Sequence, residues 1–313
     1  MGLAVGIDIG GTKIAGGIVD DDGNILQMDR RSTPSRGPDA LEKVVIDLVN
    51  EYKSEYDIEA VGIGFAGFVD EKRSRVLLAP NLGWSDEPLQ LAIESKVNIP
   101  VVVENDANAA AWGEYRFSGA QLPEDMVCVT VGTGIGGGLI FGGNLYRGAH
   151  GLAAEFGHLN IEPGGRLCAC GNRGCWEQYA SGNALVREAR LLAAERRNEA
   201  QVLLDLGDGT PEGVEGQHVT IAARKDDPVA LAAFDSLARW LGQGIADVTS
   251  LLDPGCFVIG GGVSEAGDLL LGATRRAFLS ALSGRENRPI PEIRLAELGN
   301  RAGLVGAADL ARH

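Results

Sequence analysis

The sequence predicts an α/β protein built by repeating one unit. Three observations carry this reading. The chain opens on strands broken by glycine turns and continues in alternating helices and strands; the same order restarts near residue 125; and its 313 residues suffice for two hydrophobic cores.

The first apolar run, LAVGIDI, ends at Gly10-Gly11. It resumes as IAGGIV, breaks at DDDGN and resumes as ILQM, which predicts a three-strand meander. From about Pro38, residues Leu41, Val44, Val45, Leu48 and Val49 recur at helical spacing. AVGIGFAGFVD predicts a strand, followed by a loop containing Pro80, Asn81, Gly83 and Trp84. LQLAIESKV then predicts a helix, IPVVVEN a strand and DANAAAWGEYRF a helix, closing an α/β domain of about 110 residues.

DMVCVTVGTGIGGGLIFGGNLYRG repeats the opening order of strand, glycine turn, strand and turn. Beyond it, ALVREARLLAAERR predicts a helix, and the glycine-rich polar stretch from 206 to 218 predicts a surface excursion. A long helix is expected from about Pro228 to Leu252, stopped by Asp253-Pro254-Gly255. The strand CFVIGG runs into Gly262 and a further helix, and RAGLVGAADLARH predicts a last one.

Composition limits the function. A net charge of −15 opposes a sequence-independent grip on nucleic acid, which depends on Lys and Arg neutralising phosphates. No apolar run approaches the ~18 residues of a membrane helix, and no charged-then-apolar leader opens the chain, so a soluble cytoplasmic protein without membrane or nucleic-acid partners is expected. The 45 glycines are about twice the ordinary ~7% share, and they cluster at turns.

Of five cysteines, Cys128 and Cys256 sit in apolar runs and read as core residues in a reducing compartment. The other three join a histidine in GHLNIEPGGRLCACGNRGC. His158, Cys168, Cys170 and Cys175 supply a complete tetrahedral ligand set for zinc, and four protein ligands with no open position describe a structural metal. A disulfide or merely buried thiols are the alternatives, although Cys168 and Cys170, separated by one residue, do not easily bridge.

Two glycine clusters, at Gly10-Gly11 and from Gly132 to Gly138, continue as strand and therefore are not dinucleotide fingerprints, which open a helix. A glycine hairpin is either a simple tight turn or a nest whose N–H groups approach phosphate oxygens, and two such hairpins opening two similar units favour phosphate. Gly260, Gly261 and Gly262 follow a strand and precede a helix, a place where backbone can pass close to adenine or ribose.

DIGGT from Asp8 to Thr12, VGTGIGGG from Val131 to Gly138, and the Gly260–Gly262 triplet resemble the phosphate loops and adenosine motif of the actin, sugar kinase and heat-shock chaperone ATPase superfamily. EFGHLNIEPGGRLCACGNRGCWE narrows this: it resembles the zinc signature of the ROK family of sugar kinases and repressors. The resemblance implies a duplicated actin-like, ribonuclease H-like ATPase fold of two domains, with an interdomain cleft and a zinc loop in the larger one. Residues 1–109 plus 300–313 would form the small domain, with the first phosphate loop and the catalytic Asp. Residues 110–299 would form the large domain, with the second phosphate loop, the zinc loop, and the sugar and adenosine contacts.

It further implies ATP-dependent phosphorylation of glucose at its 6-hydroxyl, as in bacterial glucokinases at the entry to glycolysis. Mannose, fructose and N-acetylated amino sugars are rival acceptors. A sugar-sensing regulator is the alternative from another class, disfavoured by the acidic balance and by a first strand that starts within ten residues of Met1.

In the motif Glu104-Asn105-Asp106 the resemblance makes Asp106 the general base, although a residue between a strand and a helix can also be an N-cap. Gly67, Asn81, Asn105, Asp106, Glu155, His158 and Glu177 would bind the sugar, with His158 also ligating zinc through its other ring nitrogen. Glu155 and Glu177 could otherwise be solvated charges. Asp8, Gly10, Gly11, Thr12, Lys13, Gly132, Thr133, Gly134, Gly260, Gly261 and Gly262 would hold ATP and its Mg2+, with Lys13 alternatively a solvated strand residue. A homodimer or homotetramer is implied. One position departs from the family pattern: Ala154 stands where glycine usually precedes the sugar-binding glutamate, and a positive φ there would strain it.

Overall fold

The computed structural model describes residues 2–34, 37–79 and 82–313. The expected meander is β1 (Leu3–Ile9), β2 (Lys13–Val19) and β3 (Ile25–Ser32), followed by α1 (Gly37–Lys53) and β4 (Ile58–Phe65). Then come β5 (Phe68–Val69), β6 (Val76–Ala79), β7 (Trp84–Glu87), α2 (Leu89–Val97), β8 (Val101–Asn105) and α3 (Asp106–Phe117). The second half begins with β9 (Met126–Val131), β10 (Ile135–Phe141) and β11 (Asn144–Tyr146). It continues through α4 (Glu177–Ala180), α5 (Gly182–Glu195), α6 (Gln201–Leu206), α7 (Gly216–Ala223) and α8 (Pro228–Leu252). β12 (Cys256–Gly260), α9 (Asp268–Ala281), β13 (Glu292–Leu295) and α10 (Ala302–Leu310) complete the chain.

The duplication is visible in the sheets. One has the order β3-β2-β1-β4-β8 and the other β11-β10-β9-β12-β13, so the chain-order pattern of the first is repeated strand for strand in the second. In the first, β2 is antiparallel to β1 and β3, while β4 runs parallel to β1 and β8. The registers Ile9↔Phe65 and Phe65↔Asn105 bring the carboxyl ends of β1, β4 and β8 to one edge. Ligands of open α/β sheets sit at that edge.

The chain divides into two compact units: residues 1–128, 137–154 and 297–313 in one, and 129–136 and 155–296 in the other. This differs from a boundary at 109/110, which would cut α3 in two. That helix packs tightly on α10 through small residues: a Cβ on Gly306 would lie 1.8 Å from Ala109 O, and one on Gly113 2.3 Å from Ala302 O. Removing α3 from the first unit would open that seam.

In the first unit, Val5, Ile7, Ile63 and Val103 from the sheet pack with Leu41, Val45 and Ile93 of α1 and α2 in one buried cluster. α10 covers the sheet with Leu304, Val305 and Ala308 against Ala4 and Ala60. Its approach requires glycine at 62, where a Cβ would meet Ala307 O at 1.7 Å. In the second unit α8 is the central helix, started by Asp227, whose side chain accepts from Val229 N and Ala230 N, with Pro228 at its first position. Asp253 ends it in a left-handed conformation.

The expectations missed β6, β7 and β13, strands of four residues each, too short for a period to show. They also read the region from 206 to 218 as an excursion, although α7 starts at Gly216 behind a capping box formed by Glu215 and His218.

Candidate active site and metal-binding loop

In the first unit, the turn after β1 is closed by Gly10 N–H donating to Lys13 O at 3.0 Å. Thr33 staples it, its hydroxyl donating to Gly10 O at 2.8 Å and its N–H to Thr12 O at 3.0 Å. Gly11, Thr12 and Lys13 are exposed. Beside them the half-buried Asp8 carboxylate faces Gly303 in the first turn of α10, where a Cβ would lie 3.3 Å from Asp8 Cγ. Burial raises its carboxyl from 3.8 to about 6. A carboxylate so desolvated, beside an open glycine turn, suits a magnesium ion carried by a nucleotide.

At the same sheet edge β8 hands over to α3. Asn105, not Asp106, is the N-cap: its side chain accepts from Asn108 N at 3.0 Å, and its amide donates to Gly67 O at 3.1 Å. Asp106 is the first residue of α3, half-buried, with Oδ1 accepting from Ala107 N at 2.9 Å. The cap and the candidate base are thus neighbours, and Gly67 touches the cap. Asn81 lies outside the described residues.

Behind this pair is a charge cluster the sequence reading did not single out. Glu104 is 1% exposed, and its Oε1 accepts from Asn105 N at 2.9 Å and Asn108 Nδ2 at 3.1 Å. Its Oε2 lies 2.7 Å from Arg147 Nε and 3.3 Å from Arg73 Nε. The Arg147 contact is one of charge, since neither atom makes an aligned hydrogen bond. Arg147 also donates to the carbonyls of Asp70 and Glu71, each at 2.8 Å. A charged residue at the end of the apolar run VVVE was the available signal, because buried charge requires partners.

In the second unit the turn after β9 is held from two sides. Gly182 N–H, at the start of α5, donates to Gly132 O at 2.7 Å, and Ile135 N–H donates to Glu177 Oε2 at 3.1 Å. Glutamate and loop are so close that a Cβ on Gly134 would lie 2.0 Å from that oxygen. Gly261, at φ +82°, packs on Val131, where a Cβ would meet the carbonyl at 2.5 Å, while Gly262 faces open space. Gly132–Gly134, Gly182 at the N-terminus of α5, and Gly260–Gly262 are therefore neighbours in the second unit.

The metal-binding candidates also converge. The ligand atoms of His158, Cys168, Cys170 and Cys175 lie within 4.8 Å of one another. His158 Nδ1 is 3.7 Å from Cys168 Sγ, and Cys170 Sγ is 3.6 Å from Cys175 Sγ. With zinc–sulfur bonds of ~2.3 Å and zinc–nitrogen of ~2.0–2.1 Å, tetrahedral ligands stand roughly 3.6–3.8 Å apart, so the set fits zinc. All five cysteines are free thiols, which removes the disulfide alternative. Burial, reinforced by the Cys170 and Cys168 sulfurs, pushes the Cys175 thiol up to about 12, and a cation at the centre would reverse that by stabilising thiolate.

The loop is pinned to α8 by Trp176, fully buried, whose Nε1 donates to Trp240 O at 2.8 Å and whose ring lies where a Cβ on Gly244 would be. Glu155 and Glu177 flank the loop in the same unit. Burial raises the Glu155 carboxyl, with His158 opposing and Glu177 adding to the rise, although solvent still reaches its side chain. Ala154, just before it, has φ +71°, the left-handed region that favours glycine.

No described helix is long and apolar enough to cross a membrane. Over 312 residues the chain is 53% identical to the glucokinase of Streptomyces coelicolor, covering 100% of this chain and 98% of that protein. The crystal structure of a ROK family glucokinase from Streptomyces griseus, in complex with glucose and AMPPNP, matches with a TM-score of 0.92 and 54% identity, covering 99% of each chain. The xylose repressor of Bacillus subtilis is 30% identical over 314 residues, spanning 99% of this chain and 77% of the repressor. A profile of the ROK family matches residues 4–313, and with that extent of agreement the chain belongs to the ROK family.

Proposed function

We propose that this chain is a glucokinase that transfers the γ-phosphoryl group of ATP to the 6-hydroxyl of glucose, with Asp106 as general base. The observation that carries the reading is likeness over the whole chain to proteins named glucokinase. The position of Asp106 at the carboxyl edge of the first sheet is compatible with it. A sugar hydroxyl is a weak nucleophile; a carboxylate accepting its proton favours in-line attack, while electrostatic contacts stabilise the phosphoryl oxygens.

In this reading Gly67, Asn81, Asn105, Glu155, His158 and Glu177 contact the sugar. The 10–13 turn and the Gly132–Gly134 turn take the phosphates, and Gly260–Gly262 the adenosine. Magnesium arriving with ATP would neutralise phosphate charge, and Asp8 would hold it through water. Zinc would be held by His158 Nδ1 and the Cys168, Cys170 and Cys175 thiolates. That leaves His158 Nε2 for a hydroxyl and braces the segment between Glu155 and Glu177. The reading extends to a cytoplasmic homodimer or homotetramer at the entry to glycolysis, which size-exclusion light scattering would check.

The test is a hexose panel with ATP, read as sugar phosphate formed, alongside Asp106→Asn. Glucose should give the highest kcat/KM, and the variant should lose about 10²–10⁴-fold in kcat with unchanged melting. A faster reaction with mannose, fructose or an N-acetylated amino sugar would overturn the acceptor, and near-normal turnover would remove Asp106 as base.

A further inference from the structure

Apart from these sites, the second unit contains a cavity of about 210 Å³ walled by the metal loop, α4, α5 and α8. Three arginines line it, Arg166, Arg187 and Arg239. Among the described residues none of the three lies within ion-pairing distance of a carboxylate, although Glu188 shares the wall and the chain as a whole carries a net charge of −15. Their disposition is partly fixed. Arg187 donates to Gln178 O, while its Nε is buried and makes no hydrogen bond. Arg239 lies over the Trp240 ring at 5.1 Å, and Trp240 packs on Tyr179 at 4.7 Å between centroids. The Tyr179 hydroxyl in turn accepts from Arg166 N at 2.8 Å.

Burial holds the Arg187 guanidinium below its usual value, and the Arg166 charge adds to that, opposed by Glu188 and Tyr179. Arg187 is half-buried while Arg166 and Arg239 are exposed, so the three side chains present donors to one solvent-accessible concavity that an anion can enter. We propose that this cavity binds a phosphate group. Several guanidinium forks suit a tetrahedral dianion, which offers each fork a pair of oxygens. A drug-sized ligand needs about 300 Å³ or more; a cavity below that takes inorganic phosphate or the phosphate end of a monoester. The ligand would touch the wall formed by Arg166 and Gln178, so it would stiffen the metal loop and the start of α4 next to Glu177.

Isothermal titration of the full-length protein tests this, with inorganic phosphate in one arm and glucose 6-phosphate in the other. Native chain is compared with Arg166→Gln and Arg239→Gln, which leave the Arg187–Gln178 anchor intact. Loss of one charge-assisted contact, about 1.5–3 kcal/mol, weakens binding tenfold or more. The expected result is saturable binding by at least one ligand, weakened tenfold or more in both variants while their melting is retained. Tighter binding of the ester identifies a sugar phosphate; equal binding identifies phosphate itself. Undiminished binding in both variants would assign the anion to another site, such as the glycine turns, and overturn the proposal. So would the lack of saturation at millimolar ligand. Neither outcome bears on glucose phosphorylation, because no turnover is measured.

Discussion

Asp8→Asn separates the cost of burying a carboxylate from its use. Burial raises the Asp8 carboxyl from 3.8 to about 6, and no hydrogen bond or ion pair to it is present among the described residues. The folded chain therefore keeps a proton that the unfolded chain has released across that window. Stability falls as pH rises through it, and the whole penalty is present above about pH 6. A gap of that size corresponds to about 3 kcal/mol. Because the side chain is half-buried and the first turn of α10 faces it, ~2 kcal/mol is the value expected in practice. Asparagine keeps the shape without the charge. Urea unfolding followed by tryptophan fluorescence should show the variant more stable by ~2 kcal/mol at neutral pH, with the difference shrinking toward zero as pH falls to about 4. Saturating magnesium nucleotide should reverse the order by stabilising the native chain more, and turnover should collapse in the variant, a trade of stability against activity. A variant no more stable than native at neutral pH, or a difference independent of pH, would refute the reasoning.

Glu104→Gln keeps the acceptor for Asn105 N–H and Asn108 but leaves Arg147 and Arg73 without their buried counter-charge. Stability should fall by about 3 kcal/mol in a urea titration, and a loss under ~1 kcal/mol would mean that Asp70 and solvent compensate. If zinc braces the loop, metal analysis should find about one zinc per chain, and Cys175→Ser should raise the KM for glucose more than it lowers kcat. Unaltered KM in metal-free protein would contradict that role. Ala154→Gly should relieve the left-handed strain at φ +71°, a gain of about 1–2 kcal/mol offset by ~0.4–1 kcal/mol of unfolded-chain entropy; a lower melting temperature would show that Ala154 is not strained.

Helices whose stop and start signals lie within a few residues were legible in advance. α2, α3 and α8 match their expected spans of 89–97, 106–117 and 228–252, because capping and apolar period are local properties. The convergence of His158, Cys168, Cys170 and Cys175 was equally legible: four residues within eighteen positions have little chain between them, and their approach follows from the loop itself. The repetition of strand and glycine turn announced the duplicated sheets for the same reason.

Tertiary structure decided what depends on distant chain. β13 is recognisable only by its pairing with β12, since four residues carry no period. Glu104 became the centre of a cluster because folding brings Arg73 and Arg147 to it from 31 and 43 positions away. Only the fold shows Glu177 holding the Ile135 N–H of the glycine turn, 42 residues off. Local chemistry names the groups that can act. Which of them share a charge, a proton or a cavity is set by packing, because those energies depend on distance in space and on burial, and neither can be counted along the chain.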